Sequence, residues 1–229
     1  MKVVTNERLI RRNRKIGQYL TIGSLAILGI GLYLSFQTAN PQAVTFSFVA
    51  LIVGFVLSQV GIYFGNRWGR SPRPDEALIS NLKGLSDSYT LYNYATPIPH
   101  LLVGPTGLWA LIPYHQSGKI VYEKGRWKQK GGNMYMKIFA QDNIGRPDQE
   151  IRSEQDTLKA RLSKSIGEDE LPAIQAALVF VNEKTVVEAD DAPIPTLKAA
   201  KLKDFLRKQP KDASLTPDKL ETINEAVIL

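Results

Sequence analysis

Residues 16–66 read IGQYLTIGSLAILGIGLYLSFQTANPQAVTFSFVALIVGFVLSQVGIYFGN, and no Asp, Glu, Lys, Arg or His interrupts them. An uncharged run of 51 residues is foreign to a soluble surface and ordinary in a bilayer. Two apolar stretches lie within it, residues 16–36 and 43–64, of 21 and 22 residues. At roughly 1.5 Å rise per residue, either spans a hydrocarbon core of about 30 Å. The connection Gln37-Thr-Ala-Asn-Pro-Gln42 is polar, uncharged and turn-forming. So short a link forces an antiparallel pair, and residues 16–66 are expected to form a two-helix transmembrane hairpin.

The flanks give an orientation. Residues 1–15 are basic, with Arg8, Arg11, Arg12, Arg14 and Lys15 next to the first span, and Arg67, Arg70 and Arg73 follow the second. The loop carries no charge, so the positive-inside rule predicts both termini in the cytoplasm of a two-pass cell-membrane protein. Tyr33 and Phe36 at one end, and Tyr63, Phe64 and Trp68 at the other, suit interfacial anchors. A cleaved signal peptide is the competing reading. It fits poorly, because the first run is long, Gln37-Thr-Ala39 is a weak cleavage site, and a second span follows at once. Ala50, Gly54, Ser58, Gly61 and Gly65 form a stripe of small residues. Such a stripe is expected to pack the hairpin against its own first helix, with a homodimer seam as the alternative. Neither span holds Asp, Glu, Lys, Arg or His, so the hairpin reads as an anchor in the lipid bilayer, without pore or pump chemistry.

The formal charge of +7 tempts a nucleic-acid reading. Position argues otherwise. Residues 1–74 hold nine bases and one acid, and the remainder holds twenty bases and twenty-one acids. Nucleic acid as a partner therefore has no support from charge. Cysteine is absent, which removes disulfides, thiolate nucleophiles and Cys-ligated zinc.

Residues 67–74 read as a linker, and residues 75–229 as one cytoplasmic α/β domain with a mixed sheet. Pro74 starts a helix, with Asp75 and Glu76 favouring its dipole, apolar positions at Leu78, Ile79, Leu82 and Leu85, and a stop at Gly84. Residues 89–94 alternate as a strand. Leu101-Leu-Val103 and Leu108-Trp-Ala-Leu-Ile112 flank Gly104-Pro-Thr-Gly107. Pro105 excludes a primed turn, so a three-residue loop with Gly107 left-handed and a bulge is expected. Lys119-Ile-Val-Tyr122, a turn at Lys124-Gly125, Trp127-Lys128 and residues 134–139 are expected to extend that sheet. A helix is expected over residues 147–165, strands over 176–181 and 185–187, and helices capped by Thr196 and Thr216.

No phosphate loop, HExxH or GxSxG occurs. His100 and His115 fall about 13 Å apart by strand spacing, which makes them two unrelated surface histidines and no metal pair. The run Ile98-Pro-His-Leu-Leu-Val-Gly-Pro-Thr-Gly-Leu-Trp-Ala-Leu-Ile112, followed by Ser117-Gly-Lys-Ile120 and Trp127, resembles the nuclease-related domain, NERD. That family is in turn similar to restriction-endonuclease-like folds. Its string runs Ile-Asp-His, an apolar run, Gly-Pro-x-Gly, an apolar strand, Glu-x-Lys and Gly-Lys-Ile. Glu76 matches its first-helix Glu, and the likeness covers residues 75–208.

The resemblance implies a divalent-metal nuclease centre, in which two carboxylates hold the metal and a lysine stabilises charge. Here the family's Asp falls on Pro99, its Glu on Ile112 and its Lys on Tyr114. The helix Gln falls on Glu150, or on Gln149 with a slip of one. Neither catalytic residues nor a metal or other cofactor is therefore expected, and Glu76 with Glu150 is the candidate remnant acidic site. The bland reading makes Glu76 a first-turn acid and Glu150 a solvated charge. Three functions follow: a membrane-tethered binding or scaffold module for a cytoplasmic protein, a nuclease rearranged around Glu76, Glu150, Asp142 or Asp148, and a subunit acting through its hairpin.

Overall fold

The structure is a computed structural model that describes residues 1–37, 39–131, 143–167 and 171–228. It divides into two compact units, Glu7–Arg73 on the one hand and Met1–Asn6 with Pro74–Leu229 on the other.

The first unit is a helical hairpin. Helix α1 (Glu7–Ser35) starts well before the apolar run, with Glu7 in its first turn. Helix α2 (Pro41–Phe64) is capped by Asn40, whose side-chain oxygen accepts from the amides of Gln42 and Ala43, with Pro41 at the first helical position. The chain then continues through one π-helical turn, Gly65–Gly69. Both helices are long and apolar enough to cross a membrane.

Small residues set the distance between them. A Cβ on Gly54 would lie 2.7 Å from the Leu28 side chain, one on Gly61 would lie 2.8 Å from Thr21 Oγ1, and one on Gly31 would lie 3.1 Å from Ala50 Cβ. Ala50, Gly54 and Gly61 therefore face α1. The Ser58 hydroxyl bonds its own helix at the Phe55 carbonyl, and a Cβ on Gly65 would meet nothing within 4 Å. The stripe ends before Gly65. Ser47 donates a 2.8 Å bond to the Gly31 carbonyl, satisfying a buried hydroxyl between apolar surfaces.

The second unit is a three-layer α/β domain. Its strands are β1 (Lys2–Thr5), β2 (Thr90–Asn93), β3 (His100–Gly104), β4 (Gly107–Tyr114), β5 (Gly118–Glu123), β6 (Arg126–Lys130), β7 (Ile174–Phe180), β8 (Thr185–Glu188) and β9 (Thr196–Lys198). Its helices are α3 (Pro74–Leu82), α4 (Pro147–Ile166), α5 (Ala199–Lys208) and α6 (Pro217–Ala226).

Six strands form a mixed sheet in the order β1-β2-β3-β4-β7-β9. Strands β2, β3 and β4 are an antiparallel meander, while β1 runs parallel to β2 and β7 parallel to β4. Along β4 the period of two divides the core. Leu108, Ala110, Ile112 and Tyr114 join Ile151, Leu158 and Leu162 of α4, with Ile223 of α6. Trp109 and Leu111 join Leu78 and Leu82 of α3, with Leu202 and Leu206 of α5, on the opposite face. Burial of both faces explains why these strands read as unbroken apolar runs.

Four expectations change. The basic N-terminal flank is partly structural, because Lys2–Thr5 forms an edge strand of the main sheet. The chain thus enters the domain, leaves through the helical hairpin and returns at Pro74. Strands β5 and β6 do not extend the main sheet but join β8 in a second one, ordered β6-β5-β8, because β7 already occupies the edge of β4. The hairpin closes on a Gly104–Gly107 pair, and its register runs unbroken to Leu101–Ala110, so there is no bulge. Gly107, at φ +119, absorbs the twist that Pro105 cannot. Thr196 lies in strand β9 and caps no helix; its hydroxyl accepts from Trp127 Nε1 at 3.0 Å. The strand expected over residues 134–139 falls outside the described residues, as does Asp142.

Candidate functional site

The β3–β4 pairing ends at Leu101 opposite Ala110, so Pro99, just before β3, lies toward the end of the sheet to which β4 continues through Ile112. Tyr114 stands two residues further along, on the face that Ile112 shares. Helix α4 covers this face, and its first turn carries Asp148 and Glu150. Three of the positions singled out in the sequence, Pro99, Ile112 and Tyr114, thus gather at one end of the sheet, with Glu150 reaching in from above.

What gathers there is mostly apolar. Ile112 is 2% exposed and pairs with Leu178 of β7. Tyr114 pairs with Phe180, and the two rings stack with centroids 5.4 Å apart and planes 20° apart. The Tyr114 hydroxyl donates a 2.7 Å hydrogen bond to Glu150 Oε2. Burial pushes the phenol pKa far up, and the negative charges of Glu150, Glu154 and Asp148 push it in the same direction. Tyr114 is therefore a fixed neutral donor, and Glu150, exposed at the helix end, is its acceptor. Where the resemblance implies two metal-ligating carboxylates, Pro99 offers no donor atom and Ile112 a closed hydrocarbon surface.

Glu76 does not join this group. It is exposed on α3, which packs on the Trp109 and Leu111 face, opposite to the face covered by α4. The sheet stands between the helices that carry Glu76 and Glu150. Gln149 is exposed on α4. Among the described residues no group of three or more His, Asp or Glu is placed to hold a metal ion.

His100 is no surface residue. It is 3% exposed, and its Nδ1 lies 2.9 Å from Asn93 Oδ1 on the neighbouring strand. The Tyr94 ring meets the imidazole edge-on at 4.8 Å. Strand pairing makes this contact, and no spacing in the sequence announces it. His115 is half-buried, and its carbonyl accepts from Asn182 Nδ2 at 3.0 Å.

At another place on the domain, a groove of about 1220 Å³ runs beside the edge strand β1. Val4, Leu85, Leu220 and Ile228 give it apolar surface, and Lys2 and Glu221 give it charge of both signs. No family model, curated protein or solved structure matches this chain.

Proposed function

We propose that this chain is a membrane-anchored protein whose α/β domain, similar to the nuclease-related domain but without its metal centre, serves as a cytoplasmic binding or scaffold module. One observation carries the reading. At the end of the sheet where the resemblance implies a metal centre, Ile112 is sealed in the core and Tyr114 is stacked on Phe180 and bonded to Glu150. A buried aliphatic side chain and a neutral phenol supply neither ligands nor a cation for phosphate chemistry.

Chain order supports the anchor. Strand β1 precedes the hairpin and the rest of its sheet follows, so both ends of the hairpin return to one folded domain. That requires an even number of membrane crossings. The cationic flanks then favour the cytoplasmic side. The groove beside β1, with apolar and mixed-charge lining, suits a protein partner better than a nucleic acid.

The test is a cleavage assay on the full chain in detergent, because a fragment starting after the hairpin would lack β1. Single- and double-stranded DNA and RNA are offered with Mg²⁺ or Mn²⁺. Absence of cleavage is expected. Metal-dependent cleavage abolished by Glu150→Gln would overturn the reading. It would favour a nuclease rearranged around Asp148, Glu150 and Glu154, the acids that surround Tyr114.

A further inference from the structure

The hairpin unit contains a cleft of about 460 Å³ at its basic end. One wall is a single stripe of α1, with Arg14, Gln18 and Thr21 at helical spacing; the other follows the π-helical turn, with Gly65, Asn66 and Arg70. Arg14 and Arg70 thus both line one hollow, together with the polar residues Gln18, Thr21 and Asn66, the Thr21 hydroxyl donating to the Gly17 carbonyl at 2.9 Å. Arg70 Nη2 donates to Asn66 Oδ1 at 3.5 Å, which orients that guanidinium along its own wall.

The hollow exists because side chains are missing. A Cβ on Gly65 or on Gly69 would meet nothing within 4 Å, so both glycines leave open space. Gly17 lets Phe64 approach α1, a Cβ there lying 2.8 Å from Phe64 Cβ. The π-helical turn displaces Asn66 and Arg70 from the positions a regular helix would give them, and such turns recur at functional sites.

We infer that this cleft binds the phosphate headgroup of an anionic phospholipid. The inference rests on the membrane-anchor reading given above. Forked guanidinium groups match phosphate oxygens in a bidentate manner. A basic hollow between two spanning helices at their cationic end is where such a headgroup would sit. A lipid is favoured over a free phosphate by the continuation of the α1 wall. Ile22 lines the cleft at its apolar side, and Ile22 and Leu25, at 66% and 64% exposure, extend a greasy track along the hairpin for an acyl chain.

The full chain is first tested for resistance to alkaline carbonate extraction from membranes. Release by carbonate would overturn the anchor and this inference together. Chain retained in the membrane is then reconstituted with phosphatidylcholine and phosphatidylglycerol in equal amounts, and co-purifying lipids are counted by native mass spectrometry. Phosphatidylglycerol is expected to be enriched by about tenfold over phosphatidylcholine, as two arginines at a lipid surface permit.

Arg14→Gln with Arg70→Gln should abolish the enrichment. Gly65→Leu, whose Cβ meets nothing within 4 Å and which puts a bulky side chain into the lining while keeping both arginines, should abolish it as well. Arg8→Gln with Arg11→Gln removes the same charge outside the cleft and should leave the enrichment in place. Equal enrichment in all variants, or equal loss in the Arg8 and Arg11 control, would overturn the inference while leaving the anchor standing. Displacement of the lipid by inorganic phosphate at millimolar concentration would make the hollow a free-anion site and overturn the lipid assignment.

Discussion

Tyr114 and Glu150 are joined by a 2.7 Å hydrogen bond that ties the end of strand β4 to the first turn of helix α4. The phenol belongs to the core and is 8% exposed, whereas the carboxylate stands in solvent. The pair closes the end of the sheet where the resemblance to nucleases implies an open, charged centre. A hydrogen bond from a buried neutral donor to a hydrated carboxylate fixes geometry and adds modest stability.

This makes the two positions respond differently to substitution. Tyr114→Phe keeps the stack on Phe180 and loses only the bond, so it should cost about 1 kcal/mol. Ile112→Glu, which puts a carboxylate where the resemblance implies one, places an unpaired charge in the core and should cost about 3 kcal/mol or more. Denaturant unfolding of the full chain in detergent, with and without Mg²⁺ or Mn²⁺, reads both. Rescue of Ile112→Glu by either metal would mean that the end of the sheet is a working metal site.

The Gly-Pro-Thr-Gly turn is held by packing. A Cβ on Gly104 would lie 2.1 Å from the Tyr89 ring, whose hydroxyl donates to Thr106 Oγ1 at 3.1 Å. Gly104→Ala must therefore push the ring aside and break that bond, for about 1–3 kcal/mol. In a double-mutant cycle with Tyr89→Leu, the Gly104→Ala penalty should shrink. An unchanged penalty would put the constraint elsewhere.

The local features of this fold were legible and the long-range ones were not. The uncharged run, the proline-started helices and the twin apolar strands around Gly104-Pro-Thr-Gly107 each announce themselves within a window of a few turns. Strand β1 does not. Lys2–Thr5 is four residues long, sits among charges, and finds its partner Thr90–Asn93 only across the whole hairpin. The second sheet was missed for the same reason, since the parallel pairing of Gly118 with Thr185 leaves no periodic trace. At the candidate site, the resemblance pointed to Pro99, Ile112 and Tyr114, but the stack of Tyr114 on Phe180 and its bond to Glu150 come only from the fold. The separation of Glu76 from Glu150 needed the sheet between them.

The absence of cysteine makes the topology measurable. Gln37→Cys, in the loop between the helices, should react with an impermeant maleimide on intact cells. Lys211→Cys, on the domain, should react only after permeabilisation. Both expectations follow from the charge asymmetry of the flanks. Labelling of Lys211→Cys on intact cells would reverse the orientation.

The small residues of α2 should matter where they touch α1 and nowhere else. Gly54→Leu drives a side chain into Leu28, and Gly61→Leu into Thr21, so each should loosen the helix pair by about 1–3 kcal/mol. Thermal unfolding in detergent and a disulfide cross-link engineered between the two helices would both register the change. Intact stability with loss of a cross-linked dimer would instead assign the stripe to a seam between copies.

The tyrosines carry the last expectation, in alkali. Burial raises the pKa of Tyr92, whose hydroxyl donates to Asn224 Oδ1 at 2.8 Å, and burial with the nearby acids raises that of Tyr114 further. For each group the folded chain holds its proton at a pH where the unfolded chain, at about 10, has released it. The stability from the raised values is therefore full below about pH 10 and drains away as pH rises beyond it. Phenolate absorbance should rise in two phases, one from accessible tyrosines and a second that coincides with loss of helical circular dichroism. Tyr114→Phe should remove amplitude from the second phase alone and flatten the fall of stability above pH 10 by one proton. Amplitude lost from the early phase would mean that Tyr114 is open to solvent, and the end of the sheet with it.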